Sequence, residues 1–443
     1  MRIGYCSPFN PMRSGISDFS EELVQALAKQ AEVVIFSPVV PEDQKIGELC
    51  EIHLLNELDH HALRKSLDVL VYHVGNNYSC HGEIVSFMQK YPGILELHDV
   101  GLHHFIAEKI SKKQDWATYV ELAEYCHGKM GRRIAEEFLA GKASAPWDSY
   151  PLQMTMTRPY IECAQGIIVH SEFAKQMVLG ICDTKPIANI MLHTENIQED
   201  TEDFKRSCRK KLSLPEEQLI IGSFGFATKP KRVIQILDAL KKFKETYKSP
   251  FIYLIVGEAP KELEIAQRIH ERALDEHVLV TGFTELEDFK AYMGACDFCL
   301  NLRYPTQGES SASLHRMFGM GKPAIVTDIG TFSDYPDEVV RKVSYGEHEV
   351  EEIYQAIYEL SRDKKQLKRR SQAALQFAKT YCDIEKNAKV YADFFESVRN
   401  GTWQPEEEDV LIGRLCELGL TDDSYTAALN LKMRGGKLPA GQI

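Results

Sequence analysis

Short apolar runs alternate with longer amphipathic segments along most of the chain. In its first part the runs are bounded by polar or turn-forming residues, and they start at Arg2, Glu32, Val69, Ile94 and Gly166. Such runs predict buried strands, and strands that alternate with helices predict a parallel sheet with crossover helices. The segment 102–157 is long, helical in pattern and mixed in polarity, so we interpret it as a helical insertion.

A second series of the same kind follows. Its predicted strands start at Leu219, Phe251, His277, Asp297 and Pro323. The polar stretch from Glu195 to Arg206 is the expected linker between the two series. After Pro336 the pattern is mainly helical, and the last residues resemble a loosely ordered tail.

These patterns predict an α/β protein with two doubly wound, Rossmann-like domains that face each other across a cleft. We expect the first domain at residues 1–200 and the second at residues 201–383. Residues 384–443 are expected to form a cross-over helix and a C-terminal helical extension. In doubly wound sheets ligands bind outside the carboxyl ends of the strands, so functional residues are expected just after strands.

Composition narrows the class of function. The 443 residues carry a formal net charge of −13 and are 44% hydrophobic, as is typical of a soluble globular protein. An acidic chain argues against nucleic acid as a partner, because that binding needs clustered Lys and Arg. The sequence shows no apolar window of membrane-spanning length and no signal-peptide pattern, so we expect a cytoplasmic protein with reduced cysteines.

The strongest local motif follows a predicted strand of the second series. Gly308, Glu309, Ser310 and Ser311 precede a helical pattern that ends in a glycine-rich stop. Residues of this kind cap a helix, and the amide groups and dipole of a helix N-terminus bind phosphate. The alternative is a capped helix without a ligand.

A basic loop follows the first strand of the same series. It carries Lys229, Lys231 and Arg232. Three cations in a post-strand loop can neutralise a diphosphate, whereas in isolation they would be interpreted as a solvated basic turn. Because this loop and the Glu309 loop are assigned to the same domain edge, the first interpretation is favoured.

The first series offers three further candidates. His98 follows a predicted strand, and Asn76 follows the strand before it. Gly15 and Ser17 open the first helix, where a second anion site is expected. His98, His103 and His104 are close in sequence, but no HExxH or paired CxxC pattern accompanies them, so we expect no metal site.

Together these motifs resemble the retaining glycosyltransferases of the GT4 (group 1) family, which have the GT-B fold. The resemblance covers roughly residues 1–400. It rests on the strand–loop–lysine at Lys231, VGE ending at Glu258, TGF ending at Phe283 and the Glu309 helix followed by GKPAIVTDIG, all in the family's order.

The resemblance implies roles for these residues. His98, Lys231 and Glu309 are the expected catalytic residues, with His98 near O6 of the donor sugar and Lys231 on the diphosphate. The expected donor-binding residues are Gly15, Ser17, Asn76, Arg232, Glu258, Phe283, Gly308, Ser310, Ser311 and Arg316. Two positions depart from the family pattern: Arg316 stands where the family has its second glutamate, and Phe226 stands where it has an arginine.

The implied activity is transfer of a sugar, with retention, from a UDP- or GDP-sugar to a glycan or glycolipid acceptor. The setting implied is bacterial surface polysaccharide or glycoconjugate biosynthesis, with no metal and no cofactor, in the cytoplasm or peripherally at the inner membrane face. The resemblance is also compatible with a homo-oligomer. Two alternatives stay open: a non-catalytic nucleotide-sugar-binding subunit, and another GT-B enzyme such as a phosphorylase or epimerase.

Overall fold

The structure is a computed structural model that describes residues 1–56, 61–195, 197–405 and residue 409. The described residues form two compact units. The first unit contains residues 1–191, the segment 307–310 and the described residues from Ala388 onward, and the second contains residues 192–306 and 311–387.

The first unit is built on a parallel sheet of seven strands in the order β3-β2-β1-β4-β5-β6-β7. Its strands are β1 Arg2–Cys6, β2 Glu32–Ser37, β3 Glu51–Leu54, β4 Val69–Val74, β5 Ile94–Leu97, β6 Gly166–Val169 and β7 Ile187–Asn189. The five apolar runs of the sequence are β1, β2, β4, β5 and β6 and are almost wholly buried, as helices on both faces of a parallel sheet require. The short β3 and β7 were not expected.

The helices of the first unit fill the connections between these strands. They are α1 Gly15–Leu27, α2 Gln44–Leu49, α3 His61–Lys65, α4 Tyr78–Lys90, α5 His103–Lys113, α6 Trp116–Leu139, α7 Pro146–Ser149, α8 Arg158–Cys163 and α9 Glu172–Leu179. Helices α5 to α8 lie between β5 and β6, where the helical insertion was expected. Buried Phe105, Tyr119 and Tyr160 join these helices to the core of the sheet.

The second unit repeats this architecture with six parallel strands in the order β10-β9-β8-β11-β12-β13. They are β8 Leu219–Phe224, β9 Phe251–Val256, β10 Val278–Gly282, β11 Phe298–Asn301, β12 Ala324–Thr327 and β13 Val340–Val343. The chain after Pro336 is mainly helical, as expected, but it also contains β13, which pairs in parallel with β12. The sequence of β13, VRKV, has two adjacent charged residues and lacks the continuous apolar run that marks the other strands.

The helices of the second unit are α10 Glu202–Lys211, α11 Val233–Thr246, α12 Ile265–Glu271, α13 Leu286–Ala295, α14 Ala312–Gly319, α15 Glu349–Arg362 and α16 Lys364–Tyr381. Helix α10 occupies part of the expected linker. Its start is capped by Thr201, and its buried Lys205 and Arg209 pair with Asp297. Thr201, Glu202, Asp203 and Arg206 are exposed, so buried ion pairs account for part of the polar composition of this segment and solvent exposure for the rest.

The last described helix, α17 Ile384–Asn400, belongs to the first unit from Ala388 onward. Its Tyr391 donates to Glu96 Oε1 at 2.8 Å, and its Arg399 pairs with Asp68 at 2.9 Å. The first unit thus ends at Met191, before the expected boundary at 200, and resumes within α17. Most of the expected C-terminal extension lies outside the described residues.

None of the helices in the described part of the chain combines the length and apolar character that a membrane span needs.

Candidate functional site

The strand order of the second unit places its topological switch point between β8 and β11. In such a sheet a ligand binds outside the carboxyl ends of the strands that flank this point. The loop after β8 carries Lys231, and the loop after β11 carries Arg303. Two cations therefore follow the two strands at which a ligand is expected.

Lys231 is held against the end of β8. Its Nζ donates to Phe224 O at 2.5 Å and lies over Gly225, where an added Cβ would be 2.7 Å from Nζ. Burial and the nearby positive charge of Arg303 lower the pKa of Lys231 well below its usual value. Within the described residues its hydrogen-bond acceptor is this neutral carbonyl, so an anion bound here would supply the missing counter-charge.

Arg232 has a different environment from Lys231. Its guanidinium makes two hydrogen bonds to the buried carboxylate of Glu349, with Nε to Oε1 at 2.8 Å, and it lies 5.5 Å from the ring centroid of Tyr304. Arg232 has φ 58° and immediately precedes α11. The structure therefore shows Arg232 joining α11 to the start of α15, a contact that the sequence interpretation did not include.

The loops after β8, β9 and β10 approach one another through glycines. A Cβ on Gly257, which has φ 142°, would lie 2.5 Å from Gly225 O, so the loop after β9 does not tolerate a side chain there. The Gly225 amide donates to Val256 O at 2.8 Å, and the Ala227 amide donates to Glu258 O at 2.7 Å. The expected site residue Glu258 is thereby fixed beside the loop that leads to Lys231.

An open surface pocket of ≈ 780 Å³ lies beside these loops. Its walls include Phe226, Glu258 and Thr281. Phe226 is 52% exposed, and Phe283, which follows β10 at the same edge, is 56% exposed. Exposed aromatic rings beside a carboxylate suit a ligand that has both a flat ring and hydroxyl groups.

Helix α14 follows β11 through the loop 302–311, as expected. Ser311 is its N-cap, and the Ser311 hydroxyl accepts from Leu314 N and from Asn301 Nδ2, the latter at 3.0 Å. Among the described residues, the first two amides of the helix, Ala312 and Ser313, donate to no protein group. Ser311 thus shapes a helix N-terminus that leaves donors for an anion. Arg316 is half-buried one turn further along.

Gly308, Glu309 and Ser310 belong to the first unit, although they stand next to Ser311 in sequence. Gln307 O accepts from Gly101 N at 2.8 Å, and the Ser310 hydroxyl donates to His170 O at 3.1 Å. Gly308 has φ 75°, and a Cβ there would meet Val100 at 3.1 Å.

The expectation that the Glu309 and Lys231 loops share one domain edge is therefore wrong. The Glu309 loop belongs to the first unit and the Lys231 loop to the second. Backbone hydrogen bonds and close contacts hold the Glu309 loop to the first unit. The Glu309 carboxylate accepts from Gln307 N at 2.7 Å, which folds its side chain back on its own loop.

The other first-unit candidates are used within the protein. The Ser17 hydroxyl donates to Met12 O at 2.6 Å, while Gly15 lies where a Cβ would have open space. Asn76 Oδ1 accepts from Phe105 N at 2.8 Å, and the backbone N–H of Asn76 donates to Asp99 Oδ2 at 2.8 Å. These contacts stabilise the loops at the carboxyl ends of β1 and β4.

His98 lies in a cluster that the sequence interpretation missed. Its Nε2 lies 3.1 Å from His73 Nδ1 and 3.8 Å from Glu96 Oε1, so a sugar hydroxyl would have to be met by Nδ1. Glu96 is fully buried, and burial raises its pKa to about 8 even though Tyr391 donates a hydrogen bond to it. His170 Nε2 lies 3.4 Å from the same Glu96 oxygen.

One signal could have found this cluster. His73 and Glu96 are the polar residues in the otherwise apolar strands β4 and β5, and they are register partners. The other histidines near His98 in sequence are engaged elsewhere: His103 Nε2 lies 2.8 Å from the Tyr119 hydroxyl, and His104 lies 3.5 Å from Asp148.

Comparison with known families gives a match in the second half of the chain. Residues 204–377 match the family described as glycosyl transferases group 1. These residues form a glycosyl transferases group 1 domain. The family resemblance inferred from Lys231, Glu258, Phe283 and the Glu309 helix is thus confirmed at the level of the group 1 family. None of the curated proteins matches the sequence.

Solved structures are similar to the chain over most of its length. HepE from Anabaena in complex with UDP-glucose has a TM-score of 0.60 and 14% identity, covering 90% of this chain and 100% of that one. Sucrose-phosphate synthase from Thermosynechococcus elongatus has a TM-score of 0.62 and 14% identity with the same coverage. WaaG, a glycosyltransferase involved in lipopolysaccharide biosynthesis, has a TM-score of 0.57 and 13% identity, covering 88% and 99%. The GT-B fold with two Rossmann-like domains is therefore confirmed.

Proposed function

We propose that the chain is a retaining glycosyltransferase that binds the diphosphate of a nucleotide-sugar donor at the switch point of its second unit. The observation that carries this proposal is the ammonium of Lys231, which is held between Phe224 O and Gly225 with Arg303 as its neighbouring charge. A donor diphosphate is an anion that would supply a counter-charge to Lys231, and the group 1 family supports the same assignment.

The main catalytic contribution proposed is electrostatic. The bond between the anomeric carbon and the diphosphate breaks, and negative charge develops on the departing phosphate oxygen. Lys231 and the amides at the start of α14 stabilise that charge. The acceptor hydroxyl forms the new bond to the anomeric carbon, and its proton passes to the departing phosphate. The protein cation then serves where other enzymes use a metal ion.

Arg232 has a supporting role in this proposal. Because its guanidinium is paired with buried Glu349, it fixes the start of α11 and thereby the position of the preceding Lys231. Glu309 and His98 are proposed to meet hydroxyls of the donor sugar, with Gly15, Ser17 and Asn76 shaping the loops of the first unit.

The pocket beside Phe226 is proposed to receive the nucleoside. The exposed rings of Phe226 and Phe283 offer stacking surfaces for a base, and the Glu258 carboxylate can accept hydrogen bonds from ribose hydroxyls. Glu258 would then do the work of the family glutamate whose position Arg316 occupies. Since HepE was solved with UDP-glucose, we propose a UDP-sugar as the first donor to test and a GDP-sugar as the second.

A glycan or glycolipid acceptor and a place in bacterial surface polysaccharide or glycoconjugate biosynthesis remain part of this proposal. The likeness to WaaG supports trying lipid-linked acceptors. A cytoplasmic location, with peripheral binding to the inner membrane face, is proposed with it.

The test compares Lys231→Met with Lys229→Met in a donor-consumption assay with UDP- and GDP-sugars. Both changes remove one positive charge from the same loop, but Lys229 is exposed. We expect Lys231→Met to lower kcat about 10²- to 10³-fold and Lys229→Met to leave it nearly unchanged. Equal activity of the two variants would refute the diphosphate role.

The same assay separates the alternatives. Release of sugar phosphate from a glycan, dependent on inorganic phosphate, would favour a phosphorylase. Donor binding without turnover in the wild-type protein would favour a non-catalytic subunit, for which Arg316 in place of a glutamate is the motivating feature.

A further inference from the structure

Three potential metal ligands converge on one face of the first sheet. His73 on β4 and Glu96 on β5 are register partners, so their side chains lie on the same face. His98 is two residues beyond Glu96 and therefore also projects from that face. The pattern of strand pairing thus assembles two imidazoles and a carboxylate that are distant in sequence.

The distances among the three ligand atoms match the geometry of a metal site. His73 Nδ1 lies 3.1 Å from His98 Nε2, Glu96 Oε1 lies 3.4 Å from His73 Nδ1, and His98 Nε2 lies 3.8 Å from Glu96 Oε1. A triangle with these sides has a circumscribed radius of about 2.0 Å, so one point lies about 2.0 Å from all three atoms. Zinc–nitrogen and zinc–oxygen bonds are about 2.0–2.2 Å long.

We propose that His73, Glu96 and His98 bind a divalent transition-metal ion of the Zn²⁺ class. Two imidazoles and one carboxylate form a three-ligand set that leaves a further coordination position for water or a neighbouring group. His170 Nε2 lies 3.4 Å from Glu96 Oε1. This proposal rests on the first unit alone and does not depend on the proposed donor chemistry.

The surroundings of the ligands fit a metal better than they fit an apolar core. Glu96 is fully buried, and within the described residues its second oxygen, Oε2, has no hydrogen-bond partner. Leaving a buried carboxylate oxygen unsatisfied is costly, and a cation offsets that cost. Tyr391 donates to Oε1 at 2.8 Å, and His170 Nδ1 lies 2.8 Å from Ile190 O, as expected for groups that orient ligands.

A bound ion would fix the imidazole of His98. Its Nε2 would be held by the metal, so the ring could present only Nδ1 to another molecule. The ion would also connect β4 and β5 to α17 through Glu96 and Tyr391.

The experiment uses the full chain, purified without a histidine tag and stripped with a chelator. Co²⁺ is the probe, because tetrahedral or five-coordinate Co²⁺ absorbs visible light, and Zn²⁺ competition and elemental analysis accompany it. We expect one ion per chain, a visible ligand-field spectrum and a rise in Tm on addition of Zn²⁺.

Variants locate the ion. Glu96→Gln is expected to weaken Co²⁺ binding more than about 100-fold, and Tyr391→Phe, which removes a supporting hydrogen bond, about 10-fold. His103→Gln is the matched control, because His103 is a buried histidine of the same unit that is bonded to Tyr119, outside the cluster. It should bind Co²⁺ like the wild type.

The measurement on the wild type tests the proposal even if Glu96→Gln fails to fold. Fewer than about 0.1 ions per chain after loading, with no visible spectrum, would overturn the proposal in favour of a hydrogen-bonded relay of Tyr391, Glu96, His73 and His98. Co²⁺ binding that is unchanged in a folded Glu96→Gln variant would also overturn it. Neither result bears on nucleotide binding by the second unit.

Discussion

The two units share one strand order but differ in the chemistry of their carboxyl edges. In the first unit that edge carries a buried cluster, His73, Glu96 and His98, whose polar atoms face one another. In the second unit it carries glycine loops, Lys231 and exposed Phe226. The same fold therefore gives one edge at which imidazoles and a carboxylate face one another and one at which a lysine is bordered by glycine loops and an exposed aromatic ring.

The family match follows this division. It covers residues 204–377, which include the switch point of the second unit, and of the first unit it includes only the segment 307–310. A nucleotide diphosphate is common to many donors, so we expect an edge that binds it to vary less than the half that determines what else is bound. The comparison predicts that changes at the edge around Lys231 alter nucleotide binding, while changes in the cluster of the first unit alter stability or metal binding and leave nucleotide binding unchanged.

The largest expected effect concerns Arg232 and Glu349 in the second unit. Glu349→Gln leaves the guanidinium of Arg232 partly buried without its counter-charge, and we expect a loss of about 3 kcal/mol in the free energy of unfolding. Urea unfolding measures it. Glu351→Gln is the control, because Glu351 pairs with Lys242 on the surface and its replacement should lower the free energy of unfolding far less. Equal losses would show that Arg232 does not depend on Glu349.

The next effect is a pH dependence within the second unit. Buried His315 donates from Nδ1 to Ser311 O at 3.0 Å and accepts at Nε2 from the Tyr335 hydroxyl at 3.3 Å. Burial lowers the pKa of His315 to about 4. Because this folded-state pKa lies below the unfolded value of about 6.5, its contribution is present above pH 6.5 and lost as pH falls towards 4.

His315→Gln removes this titration. The free energy of unfolding of the wild type should fall by about 2 kcal/mol more between pH 7 and pH 5 than that of the variant. Denaturant unfolding at the two pH values measures the difference. If the wild type and the variant lose the same free energy of unfolding between pH 7 and pH 5, protonation of His315 is not linked to unfolding.

A pair of glycines tests the geometry around Lys231. Gly225→Ala places a Cβ 2.7 Å from Lys231 Nζ, whereas Gly141→Ala, in the first unit, meets nothing within 4 Å. Both glycines have positive φ, 83° and 70°, so backbone strain is similar and only the first change displaces the ammonium. Calorimetry should show UDP binding weakened about 10-fold by Gly225→Ala, or about 1.4 kcal/mol, and less by Gly141→Ala. A larger loss of UDP affinity in the control variant than in Gly225→Ala would contradict the proposed role of Lys231.

The smallest effect belongs to the first unit. Tyr391→Phe removes the hydrogen bond to Glu96 Oε1, and we expect a loss of about 1 kcal/mol in stability without a change in affinity for UDP. Thermal unfolding and calorimetry on the same preparation measure both quantities. A weakened affinity for UDP with unchanged stability would break the proposed separation of the two edges.

The sequence was sufficient to predict the strands whose apolar runs are continuous, since burial on both faces of a parallel sheet leaves that pattern. It missed β13, because two adjacent charged residues interrupt the apolar pattern of VRKV. Lys231 could be singled out as a candidate site residue because it follows a predicted strand. The partner of Arg232, Glu349, is distant in sequence and has no motif, so the ion pair could not be expected. His73 and Glu96 meet only through the register of β4 and β5, which one sequence does not specify.

The central claim is that Lys231 holds a nucleoside diphosphate, and the most direct measurement compares UDP with UMP by thermal shift, with GDP, ADP and CMP alongside. Ligand binding to the folded state stabilises it by RT ln(1 + [L]/Kd), so at equal concentration the ligand that binds more tightly raises Tm more. The account predicts that a diphosphate, UDP first, raises the Tm of the wild type more than UMP does, and that Lys231→Met abolishes this difference while Lys229→Met keeps it. Equal shifts by UDP and UMP in the wild type, or a difference that survives in Lys231→Met, would contradict it.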